Sequence, residues 1–294
     1  MDPLVSLILT TTGTRASLVA ALGSALAQDF PGLEIIVVDD AGPDSTWTST
    51  APFAGMLADP RVQVVPWRRR AGPPAARNAG WRAARGRWLC YLDDDNEYQP
   101  GKVRAQYALA EQTGAAVVLC GIEYRVAGRR RVKQAARAEF SGDALLLEVV
   151  ADTNLLFHRR ELSARWEENL GTGDDFCLFQ AILEEANLLA VPNVAAALVV
   201  YHSHPGPRAN PHFGRHRGGQ RRLITRWCRR YSRTARRVQV CRSLLSDDKF
   251  TDGHWPRLCG HIAAMLRVGG LKEWRLIANV VGVKLPLVRR WLIT

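Results

Sequence analysis

The chain has 294 residues, 47% of them hydrophobic and 23% charged, with a formal net charge of +12. This ordinary globular composition excludes disordered, collagen-like and disulfide-scaffold classes. The charge divides unevenly: residues 1–212 carry a net −3 and residues 213–294 a net +15.

The first hundred residues alternate strand and helix signals. Val5–Thr10 is a continuous apolar, β-branched run, the pattern of a strand buried on both faces. Leu18–Leu26 has helical apolar spacing, and Leu33–Val38 is a second buried strand running into Asp39 and Asp40. Arg61–Val65 reads as a third strand. Pro73–Arg85 opens with prolines suited to a helix start and continues Ala-rich. Trp88–Leu92 is a fourth strand, ending in Asp93, Asp94 and Asp95, and a helix follows from Pro100. Such alternation predicts an open, mainly parallel α/β sheet, whose ligands lie beyond the carboxyl ends of the strands.

The middle of the chain predicts a strand over Ala116–Val126, a helix over Asp143–Val150 and a short strand over Asn154–His158. A glycine-flanked loop carrying Asp174 and Asp175 leads into a helix over Phe176–Asn187, and a last strand, Val194–Tyr201, runs into His202 and His204. Residues 205–219, rich in Pro, Gly, Arg and His, read as a mobile loop or hinge. Helices are expected near 220–245, 255–268 and 271–284. The domain reading is therefore a body over 1–212, with halves at about 1–100 and 101–212, and a basic helical region over 213–294.

Six scattered cysteines with no metal-type spacing read as reduced, mostly buried thiols of a cytoplasmic protein. No 18-residue apolar window and no signal-peptide pattern is present, which predicts a soluble or peripheral chain.

Three consecutive carboxylates repel one another unless a cation or proton intervenes. Asp93–Asp95 therefore suit Mg²⁺ or Mn²⁺, with surplus acids at a helix start as the alternative. Asp174 and Asp175 read either as a helix N-cap pair or as a general base facing that site. His202 and His204 could ligate a metal or meet phosphate, or be structural. Arg77 and Asn78 could bind a diphosphate at a helix start, against a solvated helix face as the alternative.

Taken together, the stretches VSLILTTTGTR (5–15), AQDFPGLEIIVVDDAGPDST (27–46), DPRVQVV (59–65), GPPAARNAGWRAARGRWLCYLDDDN (72–96) and GDDF (173–176) resemble a family 2 glycosyltransferase of the GT-A fold. The resemblance covers roughly 1–205 and leaves out 213–294. It implies a Rossmann-like, mostly parallel central sheet flanked by helices, and inverting, metal-dependent transfer from a nucleoside-diphosphate sugar to an acceptor hydroxyl. By that resemblance Thr10, Thr12 and Asp40 would border the base, with Asp39 beside them, and Arg77 would approach the base or diphosphate. Asp94 would contact ribose or metal, Asp95 would hold Mg²⁺ or Mn²⁺, and Asp93 is the competing assignment. Asp175 would be the catalytic base, and His204, after the last core strand, a metal ligand. Thr12 and Gly13 stand where the family usually has an aromatic residue and an Asn. The base's stacking partner would therefore be absent or come from elsewhere. UDP is the expected nucleotide, with dTDP or GDP the alternatives. A sugar nucleotidyltransferase is disfavoured, because TTTGTR is a poor phosphate loop. A non-catalytic anion- or nucleic-acid-binding protein on the same scaffold is disfavoured by the intact acids.

Between 220 and 245, Leu223, Trp227, Tyr231, Val238, Cys241 and Leu245 recur at helical steps among arginines. This amphipathic basic pattern has three readings. The apolar stripe packs on the body, or the segment docks on an anionic membrane together with Trp291, Leu292 and Ile293, or it binds another anionic partner. No nucleic-acid-reading module accompanies it, so nucleic acid is the least favoured partner. Packing on the body is the favoured reading, and the expected location is cytoplasmic, with a peripheral position at the inner membrane face as the alternative.

Overall fold

The computed structural model describes residues 4–14, 16–43, 45–66, 71–126, 129–168, 174–202, 230–232 and 235–236. The chain divides into two units, Met1–Ser141 with Val149–His216 and Gly142–Glu148 with Arg217–Thr294. The expected hinge at 205–219, the expected helices between 220 and 284, and His204 lie outside the described residues.

The first unit is built on one sheet. Its strands are β1 (Val5–Thr11), β2 (Leu33–Asp39), β3 (Val62–Pro66), β4 (Trp88–Asp93), β5 (Asn96–Tyr98), β6 (Val117–Val126), β7 (Arg129–Lys133), β8 (Glu139–Ser141), β9 (Phe157–Arg159) and β10 (Ala190–His202). Their spatial order is β3-β2-β1-β4-β9-β6-β10-β5, with β7 added on β6 and β8 on β10. The long ladders are parallel: β1 with β2 and β4, β2 with β3, and β6 with β10. The antiparallel pairings are mostly short and sit around β9, β5 and β8.

Helices cover the sheet: α1 (Leu18–Leu26), α2 (Phe53–Leu57), α3 (Pro73–Ala83), α4 (Lys102–Thr113) and α6 (Asp174–Glu185), with α5 (Ala144–Leu147) in the second unit. Every residue of β1 and β2 is buried, as a strand covered on both faces requires. α3 lies on β1 and β2 through Gly80. A Cβ there would stand 2.4 Å from Ile8 Cγ2 and 3.1 Å from Val38 Cγ2, so only glycine lets the helix approach this closely. Register then aligns the carboxyl ends: Thr10 lies opposite Val38 and Asp93, and Thr11 opposite Asp39.

Two expectations are corrected. The helix expected over Asp143–Val150 is only Ala144–Leu147, because Val150 donates its N–H to Gln134 Oε1 at 2.8 Å instead of continuing a helical ladder. The strand expected over Asn154–His158 begins later, as β9. Thr153–Leu155 is a 3₁₀ turn, capped where Asp152 accepts the Asn154 N–H at 2.9 Å. In the second unit, Ser232 donates its N–H and hydroxyl to Asp143 at 2.9 and 2.5 Å. Cys90, Cys120 and Cys177 are buried and form no disulfide among the described residues. Among the described residues no helix is long and apolar enough to cross a membrane.

Candidate active site

The sheet's carboxyl edge gathers acids around one arginine. Arg77, on α3, has a side chain only 7% exposed. Its Nη2 donates to Asp93 Oδ1 at 2.7 Å, and its Nη1 to Asp174 Oδ2 at 3.1 Å and Asp175 Oδ1 at 3.3 Å. Three carboxylates against one guanidinium leave the cluster net negative. Burial disfavours the Arg77 charge, but Asp93, Asp175 and Asp174 more than offset that and hold it protonated. Neither Arg77 nor Asn78 lies on a solvated face, since they are 6% and 4% exposed. Asn78 instead clamps the backbone of Trp166, donating to its carbonyl at 3.0 Å and accepting its N–H at 3.1 Å.

The turn before β9 completes the cluster. Asn154 Nδ2 donates to Asp93 Oδ2 and its Oδ1 accepts the Asp93 N–H, at 2.9 and 2.8 Å. Thr153 donates its hydroxyl to Asp175 Oδ1. Burial pushes the Asp175 carboxyl up to about 7. Arg77 pulls it down, while Asp174, Asp152 and Asp93 push it further up. Its side chain keeps 28% of its exposure, so the group is within reach of a ligand.

The other acids divide by environment. Asp94, 8% exposed, accepts the Thr11 hydroxyl at 2.7 Å, and Thr11 Oγ1 accepts the Gly13 N–H at 2.9 Å. Thr10 is buried, and Thr12 shares a 2.9 Å hydrogen bond with Thr14. Asp39 closes its own turn, accepting from Ala41 N and Ser45 Oγ at 3.0 and 2.6 Å. Asp40 accepts the Ala71 and Gly72 N–H groups at 3.0 and 2.9 Å, just ahead of α3, whose first residues Pro73 and Pro74 carry no N–H. Beside Gly13, which has φ +69°, a Cβ would stand 2.1 Å from Trp47 Cδ1, so the Trp47 ring fills the space of a side chain at position 13. His202 pairs with Glu97 at 2.6 Å. Asp95 is partly exposed at the β4–β5 turn. Among the described residues no group of three His, Cys, Asp or Glu forms a cation cage. The donor set does fit a hard cation that takes one or two carboxylates and completes its shell with substrate phosphates.

A sequence-family model described as glycosyl transferase family 2 matches residues 6–186, more than half of the chain. The chain belongs to the family 2 glycosyltransferases. This glycosyltransferase is 30% identical over 221 residues to the succinoglycan biosynthesis protein ExoO of Rhizobium meliloti, covering 69% of this chain and 62% of that one. It is 30% identical over 108 residues, 37% of this chain and 41% of the other, to an Escherichia coli protein named UDP-Glc:alpha-D-GlcNAc-diphosphoundecaprenol beta-1,3-glucosyltransferase WfaP. The chain thus spans less than two thirds of the length of these curated relatives. Among solved structures, Staphylococcus aureus TarS 1–349 in complex with UDP-GlcNAc has a TM-score of 0.64 at 18% identity, covering 96% of this chain and 80% of TarS. A Pyrobaculum calidifontis mannosyltransferase in complex with GDP-Man and Mn²⁺ has a TM-score of 0.54 at 18% identity, covering 100% and 84%. Likeness at that level shows the shared GT-A architecture.

Within this family 2 glycosyltransferase, the residues that organise the acids were the harder ones to read from sequence. Asp152, Thr153, Asn154 and Trp166 carried no motif of their own, and Thr11, inside the 5–15 stretch, was passed over for its neighbours Thr10 and Thr12. The only local signal was the Asp-Thr-Asn run at 152–154, a turn signature inside an apolar stretch.

Proposed function

We propose that the chain transfers a sugar, with inversion, from a nucleoside-diphosphate sugar to an acceptor hydroxyl, with Asp175 as the general base. The observation that carries this is Asp175 itself: a partly exposed carboxylate raised to about 7, fixed by Arg77 and Thr153 beside the acids of β4. A base of that strength is matched to neutral pH. Asp175 takes the proton from the acceptor hydroxyl as that oxygen attacks the anomeric carbon. Asp93 and Arg77 position the base rather than react, and Asp94, through Thr11, fixes the end of β1. Thr10, Thr12 and Asp40 border the nucleotide, with Asp39 shaping the adjacent turn. When bound at Asp95, with His204 as the further ligand carried over from the family pattern, Mg²⁺ or Mn²⁺ supplies positive charge against the diphosphate. The negative acid cluster supports that requirement, because a diphosphate would otherwise meet like charge.

Inversion is supported by the relative named as a β-1,3-glucosyltransferase using UDP-Glc, whose donor linkage is α. UDP is the nucleotide we favour, in line with the UDP-GlcNAc complex of TarS. The GDP-Man complex of the mannosyltransferase makes GDP the first competitor. The basic region 213–294 is proposed to hold the enzyme at an anionic inner membrane face.

Asp175→Asn is expected to lower transfer about 10²–10⁴-fold while donor affinity stays nearly constant. Turnover and donor titration on the same preparation check this, and unchanged turnover would remove Asp175 as the base. A panel of UDP-, dTDP- and GDP-sugars with Mn²⁺ tests the donor.

A further inference from the structure

A cavity bordered by described residues lies away from the acids. It has a volume of about 240 Å³ and is lined by Arg85, Arg87, Arg159 and Arg160 together with Trp88 and Glu161. These residues stand where β4 begins and β9 ends, whereas Asp93 stands at the opposite end of β4. Trp88 and Asp93 are five strand steps apart, roughly 17 Å.

Local geometry forces positive charge together here. Arg160 donates its N–H to the Arg87 carbonyl at 2.9 Å, and Trp88 lies opposite Arg159 in the β4–β9 ladder. Arg87 and Arg160 therefore stand opposite each other just beyond the end of the antiparallel β4–β9 ladder, a placement in which like charges repel. The two other arginines are balanced. Arg85 pairs with Glu34 at 2.9 Å, and Arg159 with Glu161 at 3.4 Å. Glu34 has no capacity to spare, since it also accepts from Ser6 and from the Arg85 and Gly86 N–H groups. Among the described residues neither Arg87 nor Arg160 has a carboxylate partner. Aromatic rings orient the half-buried pair: Arg159 lies 5.4 Å from the Trp88 ring centroid and Arg160 5.3 Å from that of Trp81. Guanidinium groups preset around a small cavity match the oxygens of a phosphate.

We propose that this cavity is a second, non-catalytic anion site that binds a phosphate group, between Arg87 and Arg160, independently of the donor site. The phosphate comes either from an anionic lipid headgroup or from a soluble diphosphate.

The test uses the full chain and inorganic pyrophosphate in the presence of EDTA. Wild type and Asp95→Ala should both gain in melting temperature as pyrophosphate is added, by linkage. Arg87→Glu places opposite charges across the pair, so it should fold at least as stably without anion and bind pyrophosphate about tenfold or more weakly. Arg87→Ser with Arg160→Ser should behave alike toward pyrophosphate while leaving glycosyl transfer unchanged. Co-sedimentation with phosphatidylcholine vesicles, with and without phosphatidylglycerol, separates the sources. A loss in Arg87→Glu confined to the phosphatidylglycerol vesicles assigns the site to a lipid headgroup, and a loss confined to pyrophosphate assigns it to a soluble anion. A pyrophosphate response and vesicle binding that both survive Arg87→Glu would overturn the proposal.

Discussion

At the residue scale the site is governed by one arginine shared among Asp93, Asp174 and Asp175. Asp175 must be ionised to accept a proton, so kcat should rise as pH passes through about 7. Because its folded-state pKa lies above the ordinary carboxylate value of 3.8, its contribution to stability is present at low pH and is lost as pH rises through about 7. Asp152→Asn removes a neighbouring negative charge that helps to raise Asp175, so the rising limb of the kcat profile should move to lower pH. A pH series on the two proteins checks this. Arg77→Ala leaves three acids without their cation. Breaking a buried pair costs roughly 3–5 kcal/mol, and the 20% to 28% exposure left to these acids places the expected loss at the low end. Urea denaturation measures it.

At the element scale the placement of Arg77 depends on how closely α3 approaches the sheet. Gly80→Val would drive a side chain into Ile8 and Val38, with an expected cost of about 1–3 kcal/mol and a fall in activity as Arg77 shifts. Denaturation midpoints and turnover, measured together, test whether stability and activity fall in step. In the first hundred residues β1, β2 and β4 were legible because they are buried on both faces, which leaves unbroken apolar runs, whereas α2 was not expected. β7 was not legible, since all five residues of Arg129–Lys133 are exposed and charge masks any alternation. β5 was hidden by its length, three residues directly behind the acids. Within the site, Asp93–Asp95 and Asp175 stood out as clustered acids at element ends. Their partners did not: Arg77 read as a contact to the base or diphosphate and not as the cation these acids share, and Asn154 lies 61 residues from the Asp93 it holds. Long-range partners of that kind are set by topology and leave no periodic trace.

At the scale of the molecule, charge is partitioned along the chain, with a net −3 over 1–212 and a net +15 over 213–294. If the basic region meets an anionic surface, binding of the full chain to phosphatidylglycerol vesicles should weaken steeply with added salt, because exposed charges are screened beyond about 10 Å at 0.1 M. Co-sedimentation across a salt series reads this directly. The start of α3 has a further consequence. A helix N-terminus ordinarily offers unpaired N–H groups to any passing phosphate. Here Pro73 and Pro74 carry none, and Asp40 already takes those of Ala71 and Gly72. The fold has removed most of its own default phosphate trap, leaving the N–H of the buried Ala75. Inorganic phosphate should therefore be a poor competitor of the sugar nucleotide, and an enzyme working among abundant cellular phosphate would keep its donor pocket clear.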